Sequence, residues 1–463
     1  MTKSLWLSLV GPALVLAAIA ELRTPDAKLV TATHAGPSQE NQAAKSPQVL
    51  WKVDLASASY GGGAIGDLNG DGRLVIVFGT YFNDEHLYAV DAKDGSVLWK
   101  FKSEGVPFDA SVALADLDGD GKLEVLAADS STGTLFCLNG AGDVLWKTKL
   151  PNSTDSPPSV ADLDGDGRVE IVVGTMSLAD RHGRVVAIDA ATREQKWIAK
   201  IPGHVQSEPA LVDLNDDGVL DAIVTTWRGD KAVHALDGKN GAELWSHKME
   251  GDMYHGVSVF EHGGTRIVAT SIAGDVCLLD ASGKELWTAK PGGYLFAPST
   301  VADLDGDGTP EIIVASGRVH VLDTSGKEKW KTDNFGSIGR GVAIADANGD
   351  GLPDLFFGAS DRKFRVLEGR TGREIWSFDA TVQGHVYEWL DGAPIIADFD
   401  RNGTLDVFFV AGKGTSDNTR AQNYGRAYAL RVGPGKGSWE MFRGNLRRTG
   451  TTTLNPIREK SGD

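Results

Sequence analysis

The sequence predicts an all-β fold, an eight-bladed propeller with metal-binding hairpin loops. Three observations carry this: tryptophan recurs at near-constant spacing, two kinds of hairpin alternate along the chain, and no helical periodicity follows the first twenty residues. The tryptophans are Trp51, Trp99, Trp146, Trp197, Trp245, Trp287, Trp330 and Trp376. Each ends a segment that begins as an apolar run and passes through Asp, Asn or Gly, as in DAKDGSVLW, LDGKNGAELW, LDASGKELW and LEGRTGREIW. Such a pattern reads as a β-hairpin. Between successive tryptophan hairpins lies a second kind, in which an apolar stretch meets an acidic turn and emerges as another strand, as in SVADLDGDGRVEIVVG and STVADLDGDGTPEIIVAS. Two hairpins make four strands, which is one propeller blade.

Seven acidic turns, beginning at Asp67, Asp116, Asp162, Asp213, Asp303, Asp346 and Asp398, and a degenerate one at FEHGGTRIVAT give eight units. The alternative is a seven-bladed ring with one unit displaced. The strand QVLWKVDL near the start has no hairpin partner of its own. It is expected to pair with strands of residues 392–431, closing the ring and removing sheet edges.

The acidic turns follow D-x-[DN]-x-[DN]-G-x-x-[DE]. Alternate positions turn short oxygen-bearing side chains inward, the seventh offers its carbonyl, and the ninth supplies a closing acid. An all-oxygen, highly charged loop of this kind suits Ca²⁺. Six loops are complete: Asp116, Asp118, Asp120, Lys122 and Glu124; Asp162, Asp164, Asp166, Arg168 and Glu170; Asp213, Asn215, Asp217, Val219 and Asp221; Asp303, Asp305, Asp307, Thr309 and Glu311; Asp346, Asn348, Asp350, Leu352 and Asp354; Asp398, Asp400, Asn402, Thr404 and Asp406. The first loop has Asp67, Asn69 and Asp71 but Val75 at the closing position, so a seventh site there is expected to be weak or absent. A turn needs one such residue, not four in register, which separates the metal reading from that of a simple polar turn. These loops hold more than a third of the chain's 63 acidic residues, and the formal charge is −17. That balance argues against nucleic acid as a partner.

At the N-terminus, Lys3 precedes an apolar run from Leu5 to Ala20 that ends in a small-x-small triplet. Residues 1–20 therefore read as a secretory signal, the alternative being an uncleaved anchor. Residues 21–48 have a linker composition, residues 49–450 form the propeller, and residues 451–463 a tail. No later segment is long and apolar enough to span a membrane, and the mature chain is expected to be a monomer, secreted, periplasmic or at the cell surface. The two cysteines, Cys137 and Cys277, stand at different strand positions, so both are expected to be buried thiols.

The acidic hairpins followed by IVVG, LFFG or IVAS resemble FG-GAP (integrin-α-like, or VCBS-type) repeats. Hairpins such as YAVDAKDGSVLWKFK resemble those of quinoprotein-like (PQQ-like) and outer-membrane assembly propellers, as does the ending SWEMFRGNLRRTG. The resemblance implies the fold and calcium at the loop positions named above, but no activity, because propellers host unrelated functions. Quinone-dependent dehydrogenases typically carry a vicinal Cys pair; this chain has none, and PQQ is not expected.

Residues just before each innermost strand are expected to line the mouth of the ring. They are Tyr60, Phe108, Asp109, Asp155, His204, Glu208, Tyr254, His255, Phe296, Arg340, His385, Glu388 and Trp389. The segments GHVQSEP and GHVYEWLDG echo each other in placing His and Glu a few residues apart. Without a strong catalytic motif, the expectation is a calcium-binding adhesion module for an extracellular protein or glycan. A calcium-dependent polysaccharide lyase using His204, His255 or His385 as base is one alternative, and a cell-envelope assembly scaffold is another.

Overall fold

Eight antiparallel sheets of four strands each surround one axis in the computed structural model, which describes residues 47–103, 106–177, 179, 181–385, 390 and 392–451. The expected signal, most of the expected linker, all but the first residue of the tail, and the candidate residues Glu388 and Trp389 lie outside the described residues. The seven-bladed alternative is therefore wrong: the degenerate unit keeps its blade, because its hairpin Ser258–Glu261 to Thr265–Thr270 pairs normally without the acids.

The innermost strands are Ala64–Gly66, Ala113–Ala115, Ser159–Ala161, Ala210–Val212, Ser258–Glu261, Thr300–Ala302, Ala343–Ala345 and Ile395–Ala397, defining blades 1 to 8. Second and third strands are almost wholly buried, as their continuous apolar runs require, whereas outer strands alternate, as in Val97–Lys102 and Glu243–Lys248. Among the described residues the one helix is a 3₁₀ turn, Arg420–Gln422. The strand Gln48–Leu55 becomes the outer strand of blade 8, pairing antiparallel with Tyr424–Gly433. The expected pairing closes the ring, but the strand is itself the outer edge of its sheet, as the fourth strand is in the other blades.

The tryptophan repeat now has a physical cause. Each of several indoles reaches into the next blade and donates to a carbonyl there: Trp51 to Ala92 (2.8 Å), Trp99 to Gly140 (3.0 Å), Trp197 to Gly238 (2.7 Å), Trp245 to Ala281 (2.9 Å) and Trp287 to Thr324 (2.8 Å). The indole face lies on a turn glycine of that blade. At Gly241, φ is +73° and a Cβ would stand 2.6 Å from the Trp197 ring. The glycine of the repeat is thus needed for its backbone and for its missing side chain.

A second closure runs along the axis. Residues 436–451, which contain SWEMFRGNLRRTG, pass inside the ring and offer backbone carbonyls to its inner strands. Ile65 donates to Glu440 (2.9 Å), Val160 to Leu446 (3.0 Å), Leu211 to Arg447 (3.0 Å), Val259 to Thr449 (2.9 Å), Val301 to Gly450 (3.1 Å) and Ile396 to Trp439 (3.0 Å). Next to the inner strand of blade 7, Asp346 and Lys436 exchange two bonds of 2.9 Å. Blade 2 is reached through Arg448, whose Nη2 donates to the Val112 carbonyl (3.0 Å).

Gly241→Ala should cost about 2 kcal/mol, from the left-handed backbone and the indole contact together. Thermal unfolding checks this: a lowered midpoint is expected, and the exposed Gly384→Ala should show a smaller loss.

Candidate functional site

The acidic loops and the mouth residues lie at opposite ends of the innermost strands. Each loop joins an inner strand to the second strand of its blade. The loops therefore sit beside the axis at one end of the ring, not out along the blades.

Five of the complete loops share a tight hydrogen-bond frame, and the loop at Asp213 varies on it. The first Asp accepts from two loop amides with its two oxygens: Asp116 from Gly119 (2.7 Å) and Gly121 (2.9 Å), Asp162 from Gly165 (2.8 Å) and Gly167 (3.0 Å), Asp303 from Gly306 (2.7 Å) and Gly308 (2.8 Å), Asp346 from Gly349 (2.6 Å) and Gly351 (2.9 Å), Asp398 from Asn402 (2.9 Å) and Gly403 (2.7 Å). At Asp213 the partners are the amides of Asn215, Asp217 and Gly218. The fifth residue accepts from the seventh, as Asp120 does from Lys122 (2.8 Å), Asp217 from Val219 (2.9 Å), Asp350 from Leu352 (2.9 Å) and Asn402 from Thr404 (2.9 Å). The closing acid folds back to accept from the residue after the first Asp: Glu124 from Leu117 (2.8 Å), Glu170 from Leu163 (2.9 Å), Asp221 from Leu214 (3.0 Å), Glu311 from Leu304 (2.8 Å), Asp354 from Ala347 (2.9 Å) and Asp406 from Phe399 (3.1 Å).

In four loops three carboxylates each bring one oxygen within 4.8 Å of the others: Asp116, Asp118 and Glu124; Asp162, Asp164 and Glu170; Asp303, Asp305 and Glu311; Asp398, Asp400 and Asp406. In the loops at Asp213 and Asp346 the third position is Asn215 or Asn348, which contributes an amide oxygen instead. Burial, then the neighbouring carboxylates, pushes the closing acids up: Asp354 to about 7 and Asp221 to about 6, with Glu124 shifted the same way. Such a donor set, buried at one end and like-charged throughout, fits a hard divalent cation with oxygen ligands. The first loop keeps the turn, Asp67 accepting from Gly72 (2.7 Å), and lacks the closing acid.

One feature of the loops was not legible in the motif. Lys196 sits on Asp164 (2.7 Å) and Glu170 (2.9 Å), Lys329 on Asp305 (2.7 Å) and Glu311 (2.7 Å), and Arg431 on Asp400 (2.8 Å) and Asp406 (3.1 Å). In these blades a protein cation bridges the third and ninth positions, where a metal would sit.

At the other end, part of the predicted mouth set converges. Asp109 and Asp155 interact directly, and Asp155 accepts from Gln206 (2.6 Å). Burial raises both acids, Asp155 to about 6, while Arg340 opposes the shift. The Arg340 guanidinium stands 5.7 Å from the centre of the Tyr254 ring. Tyr254 stacks on Phe296 at 4.6 Å, and Trp227 meets Tyr254 edge-on at 5.5 Å. The rim is extended by the long hairpin of blade 8, which leans over blade 1: Asn423 donates to the Phe82 carbonyl (2.9 Å), and Tyr60 donates to Gly414.

Other predicted residues play different parts. Glu208 is fully buried below the mouth, 3.0 Å from Arg443 Nε and 3.4 Å from His255 Nδ1. Burial would raise the Glu208 carboxyl, but His255 and Arg443 hold it below its usual range. Burial lowers His255 to about 4, so its imidazole is neutral. These two groups anchor the axial segment, with Arg443 also bonding Val257, Ser258 and Ser299. His204 is buried in a backbone bridge with Trp227, and His385 stacks on Tyr424. The sequence echo between GHVQSEP and GHVYEWLDG therefore does not bring His204 and His385 into one arrangement. Gln206, Trp227 and Arg443 were missed by the sequence reading because their neighbours are remote in the chain.

Known proteins match along much of this chain. A family model described as outer membrane protein assembly factor BamB, a PQQ-type repeat, matches residues 163–290 and 229–459. An FG-GAP-like repeat model matches residues 116–173. The serine/threonine-protein kinase AfsK of Streptomyces griseus is 27% identical over 197 residues, which are 41% of this chain and 22% of the kinase, so the match spans about a fifth of that relative. Among solved structures, the V. cholerae biofilm matrix protein Bap1 superposes with a TM-score of 0.65 at 16% identity, covering 89% of this chain and 96% of that one. The quinohemoprotein alcohol dehydrogenase from Comamonas testosteroni gives 0.60 at 14% identity over 86% of this chain and 79% of its own. At these identities the likeness shows the fold.

Arg443→Met should cost about 3–5 kcal/mol, because it strands the buried Glu208 carboxylate. Pairing it with Glu208→Gln should recover part of that loss in a denaturant cycle; strictly additive losses would contradict the ion pair. By its family match and its repeats the chain belongs to the PQQ-type repeat β-propellers described by the BamB model, and it carries FG-GAP-like loops within them.

Proposed function

We propose that the protein is an exported, calcium-braced propeller that binds a protein or glycan partner at the mouth of the ring. The observation that carries this reading is the mouth itself. The half-buried faces of Tyr254, Phe296 and Tyr294 stand beside Asp109, Asp155 and Arg340. Aromatic faces next to a few fixed polar groups suit a sugar ring or a peptide side chain. The axis beneath them is packed by residues 439–451, which makes the mouth a floor for a partner and not the opening of a channel. The N-terminal apolar run and the millimolar calcium typical outside cells accord with export. Among the described residues no helix is long and apolar enough to cross a membrane.

The acidic loops would hold calcium as braces, with first, third and fifth side chains, the seventh carbonyl and the closing acid as ligands. Lys196, Lys329 and Arg431 would then compete with the ion at two ligands each, and Lys122 and Lys239 at one, so blades 3, 6 and 8 would fill less readily than blade 7.

A second reading, a calcium-dependent lyase-like enzyme, has one observation in its favour. Asp109 and Asp155 are neighbouring buried acids whose burial pushes both carboxyls above the usual carboxylate range, the usual preparation of a general acid or base. The histidines proposed from the sequence suit this less well, since His255 is buried, neutral and held by Glu208. An assembly-scaffold role, in keeping with the family match, would use the same mouth with a protein partner.

Two experiments test the proposal. The closing acids are raised in the folded chain, so metal-free stability is present at low pH and is lost as pH rises from about 4 to about 7, where Asp354 ionises. Calcium binds the ionised form. Chelation should therefore lower the melting midpoint by roughly 5 °C at pH 7.5 and by much less at pH 5; an unmoved midpoint at both pH values contradicts the braces. A glycan and matrix-protein array should then show binding that is weakened at least tenfold by Tyr254→Ala or Arg340→Ala. Binding untouched by both removes the mouth as the site, and an unsaturated product from an acidic polysaccharide, lost in Asp155→Asn, would favour the enzyme.

A further inference from the structure

Blade 5 departs from its neighbours twice. Its inner hairpin carries no acidic loop. Its outer hairpin also breaks a recurrent pairing between third and fourth strands. In blade 4 His234 meets Glu243 at 2.7 Å, in blade 6 His320 meets Glu328 at 2.8 Å, and in blade 7 Arg365 meets Glu374 at 3.4 Å. The matching positions in blade 5 are Cys277 and Glu285. A neutral thiol stands where blades 4, 6 and 7 place a basic side chain. Glu285 turns instead to His247 on the outer strand of blade 4, at 3.6 Å from Nε2. The same Nε2 lies 3.6 Å from Cys277 Sγ. One donor atom from each of the three lies within 4.8 Å of the others.

We propose that the seam between blades 4 and 5 is a binding site for a divalent transition metal, zinc, held by Cys277 Sγ, His247 Nε2 and the Glu285 carboxylate. The spacing suits the ion. Tetrahedral zinc with Zn–S near 2.3 Å and Zn–N near 2.0 Å separates sulfur from nitrogen by about 3.5 Å, and the protein already holds them at 3.6 Å. A thiolate, an imidazole and one carboxylate select zinc over calcium, which takes oxygen ligands. Glu285 is about half exposed (47%) and His247 less so (18%), giving an approach from solvent and room for a water as fourth ligand. Cys277 is buried in one apolar cluster with Val233 and Leu279, against which Trp245 packs. Binding replaces the thiol proton with the metal and joins strands of two blades, at the blade that has no acidic loop to brace it.

Cobalt reports the thiolate directly. The full chain, in excess calcium so that oxygen sites are filled, should take up one equivalent of Co²⁺ with a thiolate-to-metal charge-transfer band in the near ultraviolet, and Zn²⁺ should abolish the band by displacement. Cys277→Ala should remove the band. His247→Ala and Glu285→Gln, at the seam's exposed edge, should each weaken uptake at least tenfold while the far-ultraviolet circular dichroism stays unchanged. Cys137→Ala, in the separate aliphatic cluster of blades 2 and 3, should leave it intact. Absence of the band in the parent protein, or equal uptake by His247→Ala and Glu285→Gln, overturns the site.

Discussion

The edge that each blade turns toward the axis governs this structure. Inner strands of three or four residues present backbone N–H and C=O groups to the middle of the ring, and a buried group left unpaired costs about 1–3 kcal/mol. The chain meets the demand with its own C-terminal segment. Its carbonyls accept from seven blades, and Arg448 donates to the eighth. Arg443 and Arg448 are fully buried within it, which is tolerable because the Arg448 donors and the Arg443 Nη groups end on carbonyls, and Glu208 lies beside Arg443 as its counter-charge. The ring is thus closed twice, at the rim by Gln48–Leu55 on Tyr424–Gly433 and at the axis by residues 436–451. Both closures join segments that are remote in sequence.

The axial segment also separates two chemistries. At one end of the inner strands lie the acidic loops, each a small carboxylate cluster pinned by its own amides. At the other lie the aromatic and charged groups of the mouth. Glu208 and His255 stand between them, Glu208 beside Arg443 of the axial segment and His255 against Tyr254 and Phe296 of the mouth. The repeats are most alike at the acidic loops and the tryptophan hairpins and least alike at the mouth. That is where a partner would be distinguished.

The blade architecture was legible because its causes are local. The Trp-to-Gly spacing fixes which turn each indole covers, and Gly241 under Trp197 shows why no other residue serves there. The closing strand was legible for a different reason: QVLWKVDL had no partner of its own, and a ring supplies one. The acidic motif likewise gave the positions of the loop residues. It did not show that Lys329 would lie across Asp305 and Glu311, since the lysine follows 24 and 18 residues later on another strand. The mouth was legible only as a set of loop positions. Asp155 and Gln206 meet across 51 residues, and Arg443 meets Glu208 from far along the chain, pairings that no spacing rule encodes. SWEMFRGNLRRTG could be seen as a motif, but its apolar and basic residues alternate without strand or helix period. Its conformation is dictated by the channel that receives it.

The dependence of the ring on its axial segment is tested most directly by amide hydrogen exchange on the full chain. If the segment is part of the ring's core, the amides of Ile65, Val160, Leu211, Val259 and Ile396 should exchange only with global unfolding, and residues 439–450 should be protected to the same degree. Rapid exchange across residues 439–450 while the inner strands remain protected would contradict the account.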